Sequence, residues 1–355
     1  MEIRKLQKVG SSTLSVSLPS AWAADQGLKR GASVQLVEDG AELRVIPLAA
    51  GAAPVNRDTP YLVAADECKT ADVLARVIIA AYVLGRDHLV VRSKSRLDAE
   101  FVDAIRRTSK KLIGVGIIEE GPSEIVLQCS VETQRYPVDT LFKRLYNLSS
   151  SAITDSIEAL RIRDARLAHV AASREEDADM IYWLIMRLIL SAQQDESVRT
   201  MIGLKSRADV AGYSIIAADL ERIADQTRVI ASNVAWLIES ESKIPGAIQN
   251  TLRQHAADVG TLFSDAMRAL LSRELEMGVE ATELASRLWK GEEEIAVAAA
   301  KFVAEPEAML RLRRILVGLV LVAESCRQIA IVAFSRHQHE GTKYLRPLEE
   351  KAPRG

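Results

Sequence analysis

Asp219–Ala231 reads DLERIADQTRVIA, and Leu319–Ala333 reads LVLVAESCRQIAIVA. Apolar residues recur in both at three- and four-residue intervals, the period of a helix with a buried face. An acid interrupts each: Asp225 stands among Ile223, Ala224, Val229 and Ile230, and Glu324 follows Val322 and Ala323. The order of features around them repeats as well. AITDSIEAL (Ala152–Leu160) resembles LFSDAMRAL (Leu262–Leu270), and the acidic SREEDAD (Ser173–Asp179) corresponds to GEEE (Gly291–Glu294). Helical periodicity from Val138 onward, broken near Arg163-Asp164, Gly203, Pro245-Gly246, Ser272–Glu274 and Pro306, predicts six long helices. The reading is an all-α domain over 138–340, made of two three-helix halves, 138–240 and 245–340.

Toward the N-terminus the pattern changes. Short apolar runs at Tyr61–Ala64, His88–Val91, Val115–Ile118 and Ile125–Leu127 alternate with helical periods at Asp72–Leu84 and Leu97–Leu112. The order β-α-β-α-β-β predicts a small α+β middle domain over 58–133, with its last hairpin turning at Gly121-Pro122. AAGAAP (Ala49–Pro54) separates it from a β-rich unit over 1–48. There Thr13–Leu18 alternates, Val34 and Leu36 precede an Asp39-Gly40 turn, Leu43 and Val45 follow it, and Pro19 and Gly27 bracket a short helix over Ser20–Gln26. So small a unit has little core of its own and is expected to fold through a partner chain. The fold class is therefore multidomain.

Lys and Arg total 46 against 48 Asp and Glu, so nucleic-acid binding has to come from a local basic surface and not from bulk charge. Cys68, Cys129 and Cys326 are far apart without CxxC spacing, which fits a reducing compartment and argues against a structural zinc site. The N-terminus has no export or transit pattern, and charges at Arg313, Arg314, Glu324 and Arg327 bound the apolar run Ile315–Ala323. A cytoplasmic protein without membrane insertion is expected.

Glu221 and Asp225 are four residues apart on one helix face. Glu175 or Glu176 with Asp179 repeats that spacing on the preceding helix, and Asp155 lies on the one before. Carboxylates from three neighbouring helices suit a hard divalent ion or oxygen-ligated iron. The alternative is that these acids are solvated or paired with Arg222 and Arg228. No Glu-x-x-His pair supports a di-iron oxidase, and no activated nucleophile or acid–base pair supports an enzyme. At the N-terminus Arg4, Lys5 and Lys8 cluster, and Lys29-Arg30 follow the short helix; a ribbon carrying such residues suits phosphates and guanine edges. The alternative there is a plain dimerisation module.

Residues 2–47 resemble an AbrB/MazE/SpoVT-type swapped-hairpin domain through RKLQKVGSSTLSVSLPSAW (Arg4–Trp22), GLKRG (Gly27–Gly31), the Asp-Gly turn and LRVIP (Leu43–Pro47). Residues 138–337 resemble the PhoU family of phosphate uptake regulators through DLERIAD and REEDADMIYWLIMRL (Arg174–Leu188). The fusion is similar to archaeal PhoU-like proteins, whose middle segment resembles DHLVVRS and KLIGVGIIEE. The resemblance implies an intertwined homodimer whose DNA-contacting residues are Arg4, Lys5, Lys8, Ser11, Ser12, Lys29 and Arg30. It implies metal-type positions at Glu221, Asp225, Asp179, Glu175 and Asp155, and at Glu324 in the second half. Val320 stands where the paired Glu of that half would be, Gln226 replaces a common histidine, and Ser20 replaces a common lysine. Two functions follow as expectations. The first is a non-enzymatic DNA-binding regulator of phosphate uptake. The second is an accessory protein that contacts a phosphate ABC transporter ATPase or another phosphate-signalling protein, its N-terminal domain only dimerising.

Overall fold

The computed structural model describes residues 3–10, 13–39, 42–47, 59–132, 136–272, 274–303 and 305–338. The chain divides into two compact units, Met1–Thr59 and Pro60–Gly355.

In the first unit β1 (Gln7–Val9) pairs antiparallel with β2 (Thr13–Ser15). The expected strand through Leu18 stops at Ser15, four residues short of Pro19, which precedes α1 (Ser20–Asp25). Gly27, at φ +63, follows that helix in the left-handed region glycine enters at no steric cost. β3 (Val34–Asp39) and β4 (Glu42–Pro47) form a second antiparallel pair, separate from the first. The Gly40 turn, Ser11 and Ser12 lie outside the described residues. Two isolated hairpins bury little, and among the described residues of this unit no side chain is fully buried. Leu6, Val9, Leu14, Leu36 and Leu43 are each more than half exposed.

The second unit begins with the β-α-β-α-β-β order read from the sequence. β5 (Tyr61–Ala64), α2 (Ala71–Val83), β6 (His88–Arg92), α3 (Ala99–Lys111), β7 (Val115–Glu120) and β8 (Glu124–Cys129) build one sheet in the order β5-β6-β8-β7. β5 and β6 are parallel, and β8 is antiparallel to both of its neighbours. Leu74, Ile78 and Tyr82 of α2 and Ile105 of α3 bury against Val63, Val91, Ile125 and Leu127 of the sheet, each burial contributing about 1.5–3 kcal/mol.

Seven helices follow: α4 (Val138–Ile162), α5 (Ala165–Gln194), the short α6 (Glu196–Met201), α7 (Arg207–Glu239), α8 (Gly246–Ser272), α9 (Leu275–Ala300) and α10 (Pro306–Gln338). Their ends fall at the sequence breaks for local reasons. Asp164 accepts from the amides of Arg166 and Leu167 to start α5, and Ser206 with Asp209 forms a capping box on α7. Arg163 ends α4 at φ +57, a costly conformation for a non-glycine residue, and its guanidinium donates to the carbonyls of Ile238 and Ser242 at the end of α7.

α4, α5 and α7 pack together, as do α8, α9 and α10, and the two trios join through α4–α8 and α7–α10. Those are the helices whose sequences repeat. The second joint is close: a Cβ on Gly318 would stand 2.8 Å from Ile230 Cγ1. α10 is long and apolar enough over Pro306–Arg336 to cross a membrane, contrary to the short span read from its charges, but it packs against α7, α8 and α9 as a core helix.

The α+β part and the helical part belong to one unit because α5 lies on α2 and α3. Arg187 of α5 fixes the joint. Buried over Tyr82, it donates to the Tyr82 carbonyl at 2.6 Å and pairs with Asp87.

Candidate functional site: an acidic face on α5 and α7

Helical spacing places Glu175 and Asp179 on one face of α5, and Glu221 and Asp225 on one face of α7, the helix packed most extensively against it. The four acids feel one another. Burial, then Asp225 and Asp179, push Glu221 up to about 7. Burial and Asp225 raise Asp179, and burial and Asp179 raise Glu175. Tyr182, one turn on from Asp179, has its phenol raised by burial and by Glu221 and Asp179.

Three cations offset this negative charge. Arg228 Nε lies 3.4 Å from Glu175 Oε1, and Lys111, at the end of α3 in the α+β part, lowers both Glu175 and Asp179 electrostatically. Arg222, bonded to the buried Asp219 at 2.6 Å, lowers Glu221 electrostatically. Pairing with Arg228 and Arg222 is thus part of the arrangement, although among the described residues Glu221 and Asp225 have no hydrogen-bonded cation.

The remaining sequence candidates lie apart from this face. Asp155 of α4 is held by Arg174 at 2.5 Å and lines a groove of about 640 Å³ between α4 and α8, where Asp265, its counterpart in the repeat, also lies. The third helix therefore directs its acid to the joint between halves. Glu324 is clamped by Arg327 at 2.5 and 2.9 Å, accepts from Gln328, and raises Asp219 by repulsion. It belongs to the α7–α10 joint. In the second half Glu292 is 3.6 Å from Arg313.

Among the described residues no group of three or more His, Cys, Asp or Glu side chains is placed to hold a metal ion. The acids are near enough to repel one another, and Glu175, Asp179 and Glu221 are all raised by burial and by that repulsion. What the face offers is concentrated negative charge beside Tyr182.

Of the N-terminal candidates, Lys5, Lys8, Lys29 and Arg30 are exposed, and Arg4 is half-buried with Nη1 donating to Ser17 Oγ at 2.8 Å.

Sequence reading passed over Arg187 and Lys111. A lone arginine inside the apolar run MIYWLIMRL was the available signal for the first, because a charge in such a place is usually paired. For Lys111 no local signal exists, since its role depends on where α3 packs.

Two relatives, each named "Phosphate-specific transport system accessory protein PhoU homolog" and found in Streptococcus pneumoniae serotype 4 and in strain R6, are 23% identical to this chain over 179 residues. The match covers 46% of this chain and 79% of each relative. The crystal structure of PhoU from Pseudomonas aeruginosa superposes with a TM-score of 0.48 at 17% identity, covering 57% of this chain and 95% of that one. Residues 142–234, which contain all four acids of the face, match the PhoU domain.

Proposed function

We propose that this protein is a non-enzymatic accessory regulator of phosphate transport that acts by protein–protein contact, with its N-terminal unit joining two chains. The match of residues 142–234 to the PhoU domain carries this reading, and both pneumococcal relatives bear the name of transport-system accessory proteins. The acidic face suits contact with a basic partner surface, because a cation docked there relieves the repulsion among Glu175, Asp179, Glu221 and Asp225. The partner is a component of a phosphate transporter, its ATPase by the resemblance, and the setting is the cytoplasm. Dimerisation is supported by the apolar side chains left exposed on both N-terminal hairpins.

The test is uptake of labelled phosphate by cells lacking the protein, complemented with wild type or with Glu221→Lys/Asp225→Lys. Wild type is expected to restore controlled uptake and the charge-reversed variant to fail while remaining folded. Uptake indifferent to the presence of the protein would overturn the reading.

A second reading, in which the N-terminal unit also contacts DNA and governs phosphate-uptake genes, is supported by exposed Lys5, Lys8, Lys29 and Arg30. It requires duplex binding that weakens steeply with salt and is lost in Lys5→Ala/Lys8→Ala/Lys29→Ala/Arg30→Ala. Absence of duplex binding at low salt leaves the protein-contact reading alone.

A further inference from the structure

The α+β part carries an open recess of about 410 Å³ at the carboxyl ends of its two parallel strands. It lies between the segment after β5 and the segment after β6, far in sequence from the acidic face. Asp66 holds the two segments together by accepting from Ser93 Oγ at 2.8 Å and from the Lys94 amide at 2.9 Å, so the recess is preformed. Its volume is that of a small-molecule site.

Both signs of charge line it without being spent on each other. Lys69 and Arg96 make no hydrogen bond or ion pair with any described residue, and neither do the carboxylates of Asp98 and Glu100. Asp98 stands at the N-cap of α3 yet its side chain caps nothing, leaving the first amides of that helix without a side-chain acceptor. Thr70 satisfies only the Val73 amide of α2. Asp66, Asp98, Glu100, Lys69, Arg96 and the positive ends of two thirteen-residue helices line the recess, so it is close to neutral overall and carries both signs of charge.

From these unpaired charges of both signs we infer that the recess is a binding site for a small zwitterion, an α-amino acid by chemistry. The ligand's carboxylate meets Lys69, Arg96 and the free helix amides, and its ammonium meets Asp98 and Glu100. A plain anion gains from the cations of such a recess and is repelled by its carboxylates; a zwitterion gains from both. Half-buried Phe101 and buried Leu97 supply apolar wall for a side chain. The site also has a route to the helical part, since α2 leads to the Tyr82–Asp87 segment clamped by Arg187, and α3 ends at Lys111 beside the acids. This inference stands apart from the transport reading, and its test measures binding alone.

The full-length protein is screened by thermal shift against the common amino acids, and hits are titrated calorimetrically. Each hit is compared with its 2-oxo acid, which lacks the ammonium, and with its amine, which lacks the carboxylate; inorganic phosphate and a sugar phosphate are titrated in parallel. At least one amino acid is expected to bind, with both truncated analogues about tenfold weaker or worse. Asp98→Asn and Arg96→Ala, both on exposed residues, are each expected to weaken it about tenfold without moving the unfolding temperature of the free protein. The sign of the Asp98→Asn effect is decisive: removing that carboxylate weakens a zwitterion but strengthens an anion. Binding of phosphate compounds in preference to every amino acid, tighter binding by Asp98→Asn, or no binding by any amino acid would each overturn the assignment.

Discussion

Arg187, inside the apolar run of α5, reaches across to Asp87, between α2 and β6, and is the buried charge that locks the helical part to the α+β part. Its side chain is 7% exposed and that of Asp87 is 22% exposed, so neither has much water to fall back on. Arg187→Met is expected to leave Asp87 without its ion-pair partner, the Tyr82 carbonyl keeping only the Gly85 amide, and to cost about 2–3 kcal/mol. Arg187→Lys should recover little, because an ammonium cannot spread over the Tyr82 ring while forking to two acceptors. Urea unfolding measures the loss, and hydrogen exchange should place it at the end of α2 and the start of β6. A full rescue by lysine would show that only charge matters at this joint.

Glu221 makes stability depend on pH in a definite direction. Its folded-state value of about 7 lies above the ordinary glutamate value of 4.5, so the folded protein binds more protons than the unfolded chain between these limits. Stability from this group therefore falls as pH rises from about 4.5 through 7, and its unfavourable contribution is fully present above that range. Glu221→Gln removes it. Because the side chain is only half-buried, solvent screening leaves about 1 kcal/mol, equivalent to roughly 2–4 °C in unfolding temperature. The variant should melt higher than wild type at pH 8 and at the same temperature near pH 4. A difference that does not vary with pH would mean that ionisation of Glu221 is not its source.

Periodicity made the helices legible, because each long helix carries its own apolar stripe and its breaks are marked by caps such as Asp164 and Ser206 that act locally. The same holds for the α+β order. Convergence of the acids was legible only within a helix. Spacing set Glu221 over Asp225, but whether Asp155 joined them depended on the rotation of α4, and what Glu324 met in the second half depended on that of α10. Each of those acids instead found an arginine close at hand, Arg174 or Arg327. The recess near Arg96 carried no motif, since its parts lie in two loops that only the parallel pairing of β5 and β6 brings together.

If the exposed apolar side chains of the N-terminal hairpins mark where two chains meet, charges placed there should separate the chains while sparing the second unit. Leu14→Lys/Leu36→Lys alters two residues that are 63% and 60% exposed, so it removes nothing from the core of a single chain. Sedimentation of the full-length protein is expected to shift from dimer to monomer, with helical content unchanged. A variant as dimeric as wild type would move the association to another surface.

Two glycines on the α7–α10 joint should respond in opposite directions to the same change. At Gly212 of α7 an added Cβ comes no closer than 3.4 Å to Val332 Cγ1, ordinary contact. Gly212→Ala should therefore gain about 0.5–1 kcal/mol from reduced freedom of the unfolded chain and better helix propensity. At Gly318 of α10 the Cβ meets Ile230 Cγ1 at 2.8 Å and Cδ1 at 3.3 Å, inside a joint whose neighbours are buried. The propensity gain is the same, but forcing α7 and α10 apart costs about 1–3 kcal/mol, so Gly318→Ala should be destabilising on balance. Adding Ile230→Val, which makes room for the methyl, should return part of the loss, and a double-mutant cycle in urea reads the coupling directly. Equal gains at both glycines would mean that α10 does not approach α7 closely at Ile230, and with that the tight joint between the two halves would be lost.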